Sequence, residues 1–256
     1  MNTTYSTRVQ APNSHVEDQQ SSDLVILKPH VGGVIDDVPL TLKQPNKNIK
    51  IQNIQKNINI QKIQKNSCGG VISCRSETVV GTLNVRTVRE YFKRLELATL
   101  FLRSKLAVLG IQEHRVVHDE EIKIEKHQKG VHLITSSAWR NSMQAATGGV
   151  GFMLTKNAYN AISLIKTYGK RILLISFDGN PRFTLVSVYS TTESSSEEEA
   201  EEFHDNLRAA IKDVPAHHLL MVVGDLNAHL SKLNEEDTGW YWHQVTNRNG
   251  WLLRDS

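Results

Sequence analysis

The chain has 256 residues, 39% of them hydrophobic and 22% charged, which is enough for one sizeable globular domain with a tail and short of two full domains. Its formal charge of +3 is carried by the first part: residues 1–78 hold 9 Lys/Arg against 6 Asp/Glu, whereas residues 79–256 hold 21 of each. A neutral main body excludes any argument for nucleic acid from bulk charge, so a case for a phosphate-bearing substrate has to come from individual side chains.

The N-terminus lacks the apolar run of a signal peptide, and no stretch approaches the roughly 20 apolar residues that cross a bilayer. An intracellular, reduced, soluble protein is expected. The two cysteines, Cys68 and Cys74, have no second Cys/His pair at zinc-ligand spacing nearby and read as incidental thiols. Residues 1–44 are polar and aperiodic, and residues 45–66 repeat Ile, Gln, Asn and Lys without a period of 2 or 3.6. Residues 1–78 therefore read as a low-complexity, disordered tail. The alternative is a basic arm for nucleic acid, because six lysines fall between Lys43 and Lys65 with no acid among them.

From residue 79 the texture changes. Val79-Val80-Gly81-Thr82-Leu83 predicts a short strand, and a helix follows with Tyr91, Leu95, Ala98 and Leu102 on one face. Leu106–Ile111, Gly148–Leu154, Arg171–Phe177 and Phe183–Tyr189 are apolar runs of the kind that form buried strands. Residues 195–213, opened by serines and glutamates that suit the positive end of a helix dipole, predict a second helix ended by Pro215. Leu219–Val223 is a further buried strand. This order points to an α/β domain over 79–256, with helices outside layered sheets. In such sheets the polar residues just past the carboxyl ends of strands meet the ligand.

Those positions hold Asn84, Glu113, Tyr189, and Asp225 with Asn227. A carboxylate such as Glu113 is a hard oxygen ligand suited to Mg²⁺, and it equally suits a strand-end ion pair with Arg86 or Arg115. Asp225 has the chemistry to orient or deprotonate a water, and Asn227 to donate to phosphate oxygens, although Asp-x-Asn is also a common turn. Tyr189 is either a phenol donor to a phosphoryl oxygen or a strand tyrosine at a sheet edge.

Taken with their contexts, Gly81-Thr82-Leu83-Asn84-Val85-Arg86-Thr87, Leu109-Gly110-Ile111-Gln112-Glu113-His114-Arg115, Gly148-Gly149-Val150-Gly151-Phe152, Val188-Tyr189-Ser190 and Val223-Gly224-Asp225-Leu226-Asn227-Ala228 resemble the endonuclease/exonuclease/phosphatase superfamily. The resemblance covers about residues 79–256, includes Asn247-Arg248-Asn249-Gly250, and looks closest to endonuclease domains of non-LTR retrotransposons (LINE, RTE-like) and to craniofacial development protein 2-like proteins. It implies a layered α/β sandwich of the DNase I-like type and hydrolysis of DNA phosphodiesters with Mg²⁺ or Mn²⁺. It also implies that Asn84 lies near metal and phosphate, Glu113 is a metal ligand, Tyr189 contacts phosphate, Asp225 aligns the attacking water and Asn227 stabilises phosphoryl charge.

Members carry a further Asp and a terminal Asp-His pair beyond the point where this sequence ends at Ser256. His217, His218, His229 and His243 are not at the equivalent place and read as surface or loop residues. The expectation is a partial domain, lacking its last strands and leaving a sheet edge exposed, with weak or no activity. The alternative is a domesticated, non-catalytic protein that binds a nuclear or chromatin partner. A nuclear location fits both. The Asn-Val-Arg and Gln-Glu-His-Arg contexts argue against a phosphatase or lipid phosphodiesterase of the same superfamily.

Overall fold

Short aliphatic and β-branched runs separated by turn residues dictate a strand-rich body. The computed structural model describes residues 26–28, 60–61, 78–232 and 243–255. Two short strands come first, β1 (Ile26–Lys28) and β2 (Ile60–Gln61). The body then runs β3 (Val80–Asn84), α1 (Tyr91–Arg103), β4 (Val108–Gln112), β5 (Ile122–Lys126), β6 (His132–Ser136), β7 (Trp139–Arg140), β8 (Ala146–Thr147) and β9 (Val150–Leu154). It continues with α2 (Lys156–Asn160), β10 (Ile162–Thr167), β11 (Ile172–Phe177), β12 (Arg182–Tyr189), α3 (Glu197–Lys212), β13 (His218–Asp225) and α4 (Arg248–Arg254).

The strands form a five-stranded sheet in the order β3-β4-β9-β6-β5, a six-stranded sheet in the order β1-β13-β12-β11-β10-β2, and a β7-β8 hairpin. Each large sheet has one parallel pair with a helix between its strands: β3-α1-β4 in the first and β12-α3-β13 in the second. Between the sheets lies an apolar layer that includes Ile134, Phe152, Leu154, Ile165, Leu173, Ile175, Phe177 and Leu185. Truncating a buried aromatic such as Phe152 to alanine costs about 3–5 kcal/mol. A second layer packs α1 through Leu97, Ala98 and Phe101 on the five-stranded sheet, and a third packs α3 through Phe203, Leu207 and Ala210 on the six-stranded sheet. The result is the layered α/β sandwich expected, with helices on both outer faces.

Ser196 caps α3 by accepting the Glu199 N–H at 3.2 Å, and Glu197, Glu198 and Glu199 fill its first turn, as the serine-glutamate run predicts. Helix α1 forms where expected and buries Ala98 of the expected face, but the buried face is rotated from it. Tyr91 is 60% exposed and Leu102 38%, whereas Leu97 and Phe101 are buried. This helix is apolar on more than one side, and the face carrying Leu97 and Phe101 at i, i+4 puts more bulk on the sheet. Arg94, on the adjoining side, is held by an ion pair from Nε to Glu125 at 3.0 Å.

Strands β5, β6 and β10 were not predicted, because Ile122-Lys-Ile-Glu-Lys, His132-Leu-Ile-Thr-Ser and Ile162-Ser-Leu-Ile-Lys-Thr mix polar residues into runs too short to read as apolar. Ile26–Lys28 pairs antiparallel with β13, and Ile60–Gln61 pairs with β10, so two short pieces of the tail cover part of each outer edge of the six-stranded sheet. On β13 this pairing spans Leu220–Val222. The rest of the low-complexity tail, including the lysine-rich arm and both cysteines, lies outside the described residues.

Candidate active site

The two parallel pairs run so that the carboxyl ends of β3, β4, β12 and β13 meet. Asn84 is the last residue of β3 and pairs with Gln112, the last of β4; Tyr189 is the last of β12 and pairs with Asp225, the last of β13. Glu113 follows β4 directly, and Asn227 stands two residues past β13. Beneath them a buried polar pillar crosses the sheets: Thr82 donates to Gln112 Oε1 (3.2 Å), and Gln112 Nε2 donates to Ser187 Oγ (3.1 Å). A glycine at 224 is required, because β13 passes β12 so closely that a Cβ there would lie 2.0 Å from the Val188 carbonyl oxygen, and its φ is +140°.

One side chain ties the two sheets together at this end. Asn84 Nδ2 donates to Glu113 Oε1 (2.9 Å) in its own sheet's loop and to Asp225 Oδ2 (3.1 Å) from the other sheet. Arg115 Nη2 donates to Glu113 Oε2 at 2.8 Å, so the ion-pair reading of Glu113 also holds, with Arg115 as partner. The Tyr189 phenol completes the set, near enough to the Glu113 carboxylate for each to shift the other's titration. Burial pushes the Glu113 carboxyl upward, but the hydrogen bonds from Asn84, Arg115 and Tyr189 and the charge of Arg115 outweigh it, and the net shift is down. Burial, together with the Glu113 and Asp225 charges, pushes the Tyr189 phenol up to about 12, so it stays a neutral donor. Tyr189 is therefore no sheet-edge tyrosine: β12 lies between β11 and β13.

Asp225 is buried, and its Oδ1 accepts the Asn227 N–H at 3.0 Å. The Asn227 amide donates to the Ser190 carbonyl at 3.3 Å, so one of its two N–H groups is already engaged. Glu113, Arg115, Arg86 and Asn227 all have positive φ, four of the seven non-glycine residues with that conformation among the described residues. Backbone strain of this kind concentrates where loops are held to fix side chains.

His114 supports the Glu113 loop from beneath. It is fully buried, its Nδ1 accepts the Val116 N–H at 3.0 Å and its Nε2 sits 3.3 Å from the Val150 carbonyl, which fixes a neutral tautomer. No histidine bonds to Glu113 or Asp225 among the described residues. Of the histidines read as surface or loop, His229 and His243 stack at 4.0 Å and His217 packs edge-on to His218. His218 departs from that reading, since it opens β13 and its Nδ1 meets Thr184 Oγ1 at 2.8 Å.

Several residues that hold the site carried no role from sequence. Asn247 Nδ2 donates to the Asn227 carbonyl (2.9 Å), and the fully buried Asn249 donates to the Thr191 (2.6 Å) and Asn227 (3.3 Å) carbonyls, strapping α4 to both site loops. The Asn-Arg-Asn-Gly stretch was visible as a motif, but its work on backbone carbonyls was not. Arg171 and Trp139 flank Tyr189, and only an arginine opening an apolar run hinted at the former. A cleft of about 310 Å³ adjoins Glu113 through Arg115, lined also by Arg89, Arg94, Lys123, Arg140 and Glu125.

Mg²⁺ takes one or two carboxylates and completes its shell with water and substrate oxygens. Glu113, ionised and only partly buried, with Asp225 one amide away, offers that donor set. Among the described residues no group of three or more His, Cys, Asp or Glu forms a full protein cage. No helix among the described residues is long and apolar enough to cross a membrane.

No family model matches the chain, and no curated relative does. Nine chains of solved structures match. One is the 3′ phosphatase NExo from Neisseria bound to product DNA hairpin, at 16% identity and a TM-score of 0.40, with 58% of this chain and 57% of that one covered. The match spans little more than half of that protein, and the fold and site described above stand on this chain's own strands and side chains.

Proposed function

We propose that the chain hydrolyses phosphodiester bonds in DNA as a divalent-metal-dependent endonuclease of retrotransposon origin. The observation that carries the reading is the Asn84 amide bridging Glu113 and Asp225 across the two sheets, at the shared carboxyl ends of four strands. Glu113 would hold Mg²⁺ or Mn²⁺, which when bound supplies Lewis-acid charge to the phosphate. Asp225 orients a water and takes its proton as the water oxygen bonds to phosphorus and the P–O bond to the leaving sugar oxygen breaks. The neutral Tyr189 phenol and the free amide N–H of Asn227 donate to phosphoryl oxygens.

The cleft beside Arg115, lined also by Arg89, Arg94, Lys123 and Arg140, supports a polyanionic substrate such as DNA over a small phosphoester. A nuclear location would fit a DNA substrate.

The test is plasmid nicking by purified protein with Mg²⁺, compared with Glu113→Ala, Asp225→Ala and an EDTA control. Nicking by the wild type that disappears in all three supports the reading. Folded protein that shifts DNA in a gel yet never nicks it overturns hydrolysis in favour of a binding role.

A further inference from the structure

Arg171 is the largest commitment of charge near the site that the catalytic reading leaves unused. It directly precedes β11, and its backbone carbonyl accepts the Tyr189 N–H at 2.9 Å. Its Nη1 then returns to donate to the Ser190 carbonyl at 3.2 Å, with the Tyr189 carbonyl at 3.5 Å. The same Ser190 carbonyl accepts the Asn227 amide, and the Ser190 N–H donates to the Asp225 carbonyl at 2.8 Å. One guanidinium therefore grips the segment to which Tyr189, Asp225 and Asn227 are all attached. Arg171 makes no ion pair with a carboxylate among the described residues, so its charge is spent on this grip rather than on a salt bridge.

The other face of the guanidinium is occupied by an aromatic platform. Its central carbon lies 4.5 Å from the Trp139 ring centroid and 5.7 Å from that of Tyr189, and the two rings are 6.4 Å apart. Trp139 reaches this place from the β7-β8 hairpin, on the side of the five-stranded sheet. It seats there because residue 148 is a glycine, where a Cβ would stand 2.0 Å from the indole. Asn84 thus joins the two halves of the site on one flank, and the Trp139–Arg171 stack joins them on the other.

We propose that Arg171 is a positioning residue, packed against the Trp139 ring, that fixes the Tyr189 phenol beside Glu113 and, through the Ser190 carbonyl, the Asn227 loop. A planar fork that stacks on an indole while donating to a carbonyl is arginine chemistry, and lysine supplies the charge without the plane. The clamp itself is geometric; only its effect on cleavage rests on the endonuclease reading.

The test uses the full chain labelled with 3-fluorotyrosine, in which the Tyr189 fluorine resonance is identified by its loss in Tyr189→Phe. Arg171→Lys and Trp139→Leu are compared with wild type for the six tyrosine resonances, thermal midpoint and nicking kinetics. The expected result is a shift or broadening of the Tyr189 resonance in both variants, with the other five unmoved and the thermal midpoint held. Where nicking is present, kcat falls roughly tenfold to hundredfold with KM within about twofold, the signature of misplacement rather than lost binding. A moved Tyr189 resonance in a protein that never nicks DNA upholds the clamp and sinks the endonuclease reading. A Tyr189 resonance unchanged in both variants overturns the clamp whatever the activity, and so do six resonances that all move together.

Discussion

Two clusters in this molecule place a carboxylate against a tyrosine and a cation, and they differ in charge balance. On the outer face of the six-stranded sheet, Asp213 accepts from Lys166 Nζ (2.5 Å) and the Tyr168 phenol (2.8 Å). One acid meets one base, and the pair ties β10 to the carboxyl end of α3, where Asp213 is the capping residue and would otherwise oppose the helix dipole. At the sheets' carboxyl ends, Glu113 and Asp225 share Asn84 with only Arg115 as a paired cation, and that arginine's side chain is 41% exposed. The first cluster is closed and neutral. The second sets two carboxylates against one paired cation, a balance that suits the uptake of a further cation.

The sharpest way to break this comparison is to remove one charge from each cluster. On the proposed reading, Asp225→Asn is expected to lower nicking roughly 10³-fold and to abolish a rise in thermal midpoint expected of the wild type with Mg²⁺. Asp213→Asn is expected to do neither. Equal stabilisation of both variants by Mg²⁺, followed by differential scanning fluorimetry with and without EDTA, would remove the charge surplus as the distinguishing feature.

The difference between the clusters was partly legible before any fold was known. Asn84, Glu113, Tyr189 and Asp225 stand where apolar runs stop, and strand-end placement alone nominates them, because a buried strand has to shed its polar residues at its termini. Their meeting was not derivable from periodicity: it depends on Asn84 and Asp225, 141 residues apart in sequence, ending parallel pairs in different sheets. Lys166, Tyr168 and Asp213 were invisible for a related reason. β10 interleaves Ser163 and Lys166 with its aliphatic residues, and nothing local says that its lysine is one part of a three-residue latch whose last part follows a helix. The exposed Tyr91 shows the same limit on α1, where the period was right and the face was chosen by packing.

Acid should separate the two regions next. Burial holds the His114 imidazole neutral, with its pKa lowered to about 4 against about 6.5 when unfolded. Between those values the unfolded chain binds a proton that the folded chain does not. The stabilisation is therefore whole above pH 6.5 and drains away as pH falls towards 4, by about 3 kcal/mol at most. His204, under α3, is likewise lowered to about 4 by burial and adds to the slope. Urea midpoints from pH 7.5 to 4.5 are expected to fall steeply in wild type. In His114→Gln the midpoint should start lower at pH 7.5 and change less with pH. Parallel curves would mean that His114 is not the group that destabilises the Glu113 loop in acid.

The smallest effect tests whether the neutral cluster is only a latch. Lys166 is nearly buried while the Asp213 side chain is 46% exposed, so an Asp213 left without its lysine can turn to water. Lys166→Met should consequently cost about 1 kcal/mol, near the range of exposed pairs and well below the cost of stranding a fully buried charge. Part of the loss should return in Lys166→Met with Asp213→Leu, since the second change removes the orphaned acid and its conflict with the α3 dipole. Both variants should nick DNA at the wild-type rate. A nicking rate that fell with Lys166 would instead couple α3 to the Ser190 segment it follows, and the balanced cluster would then belong to the working parts of the site.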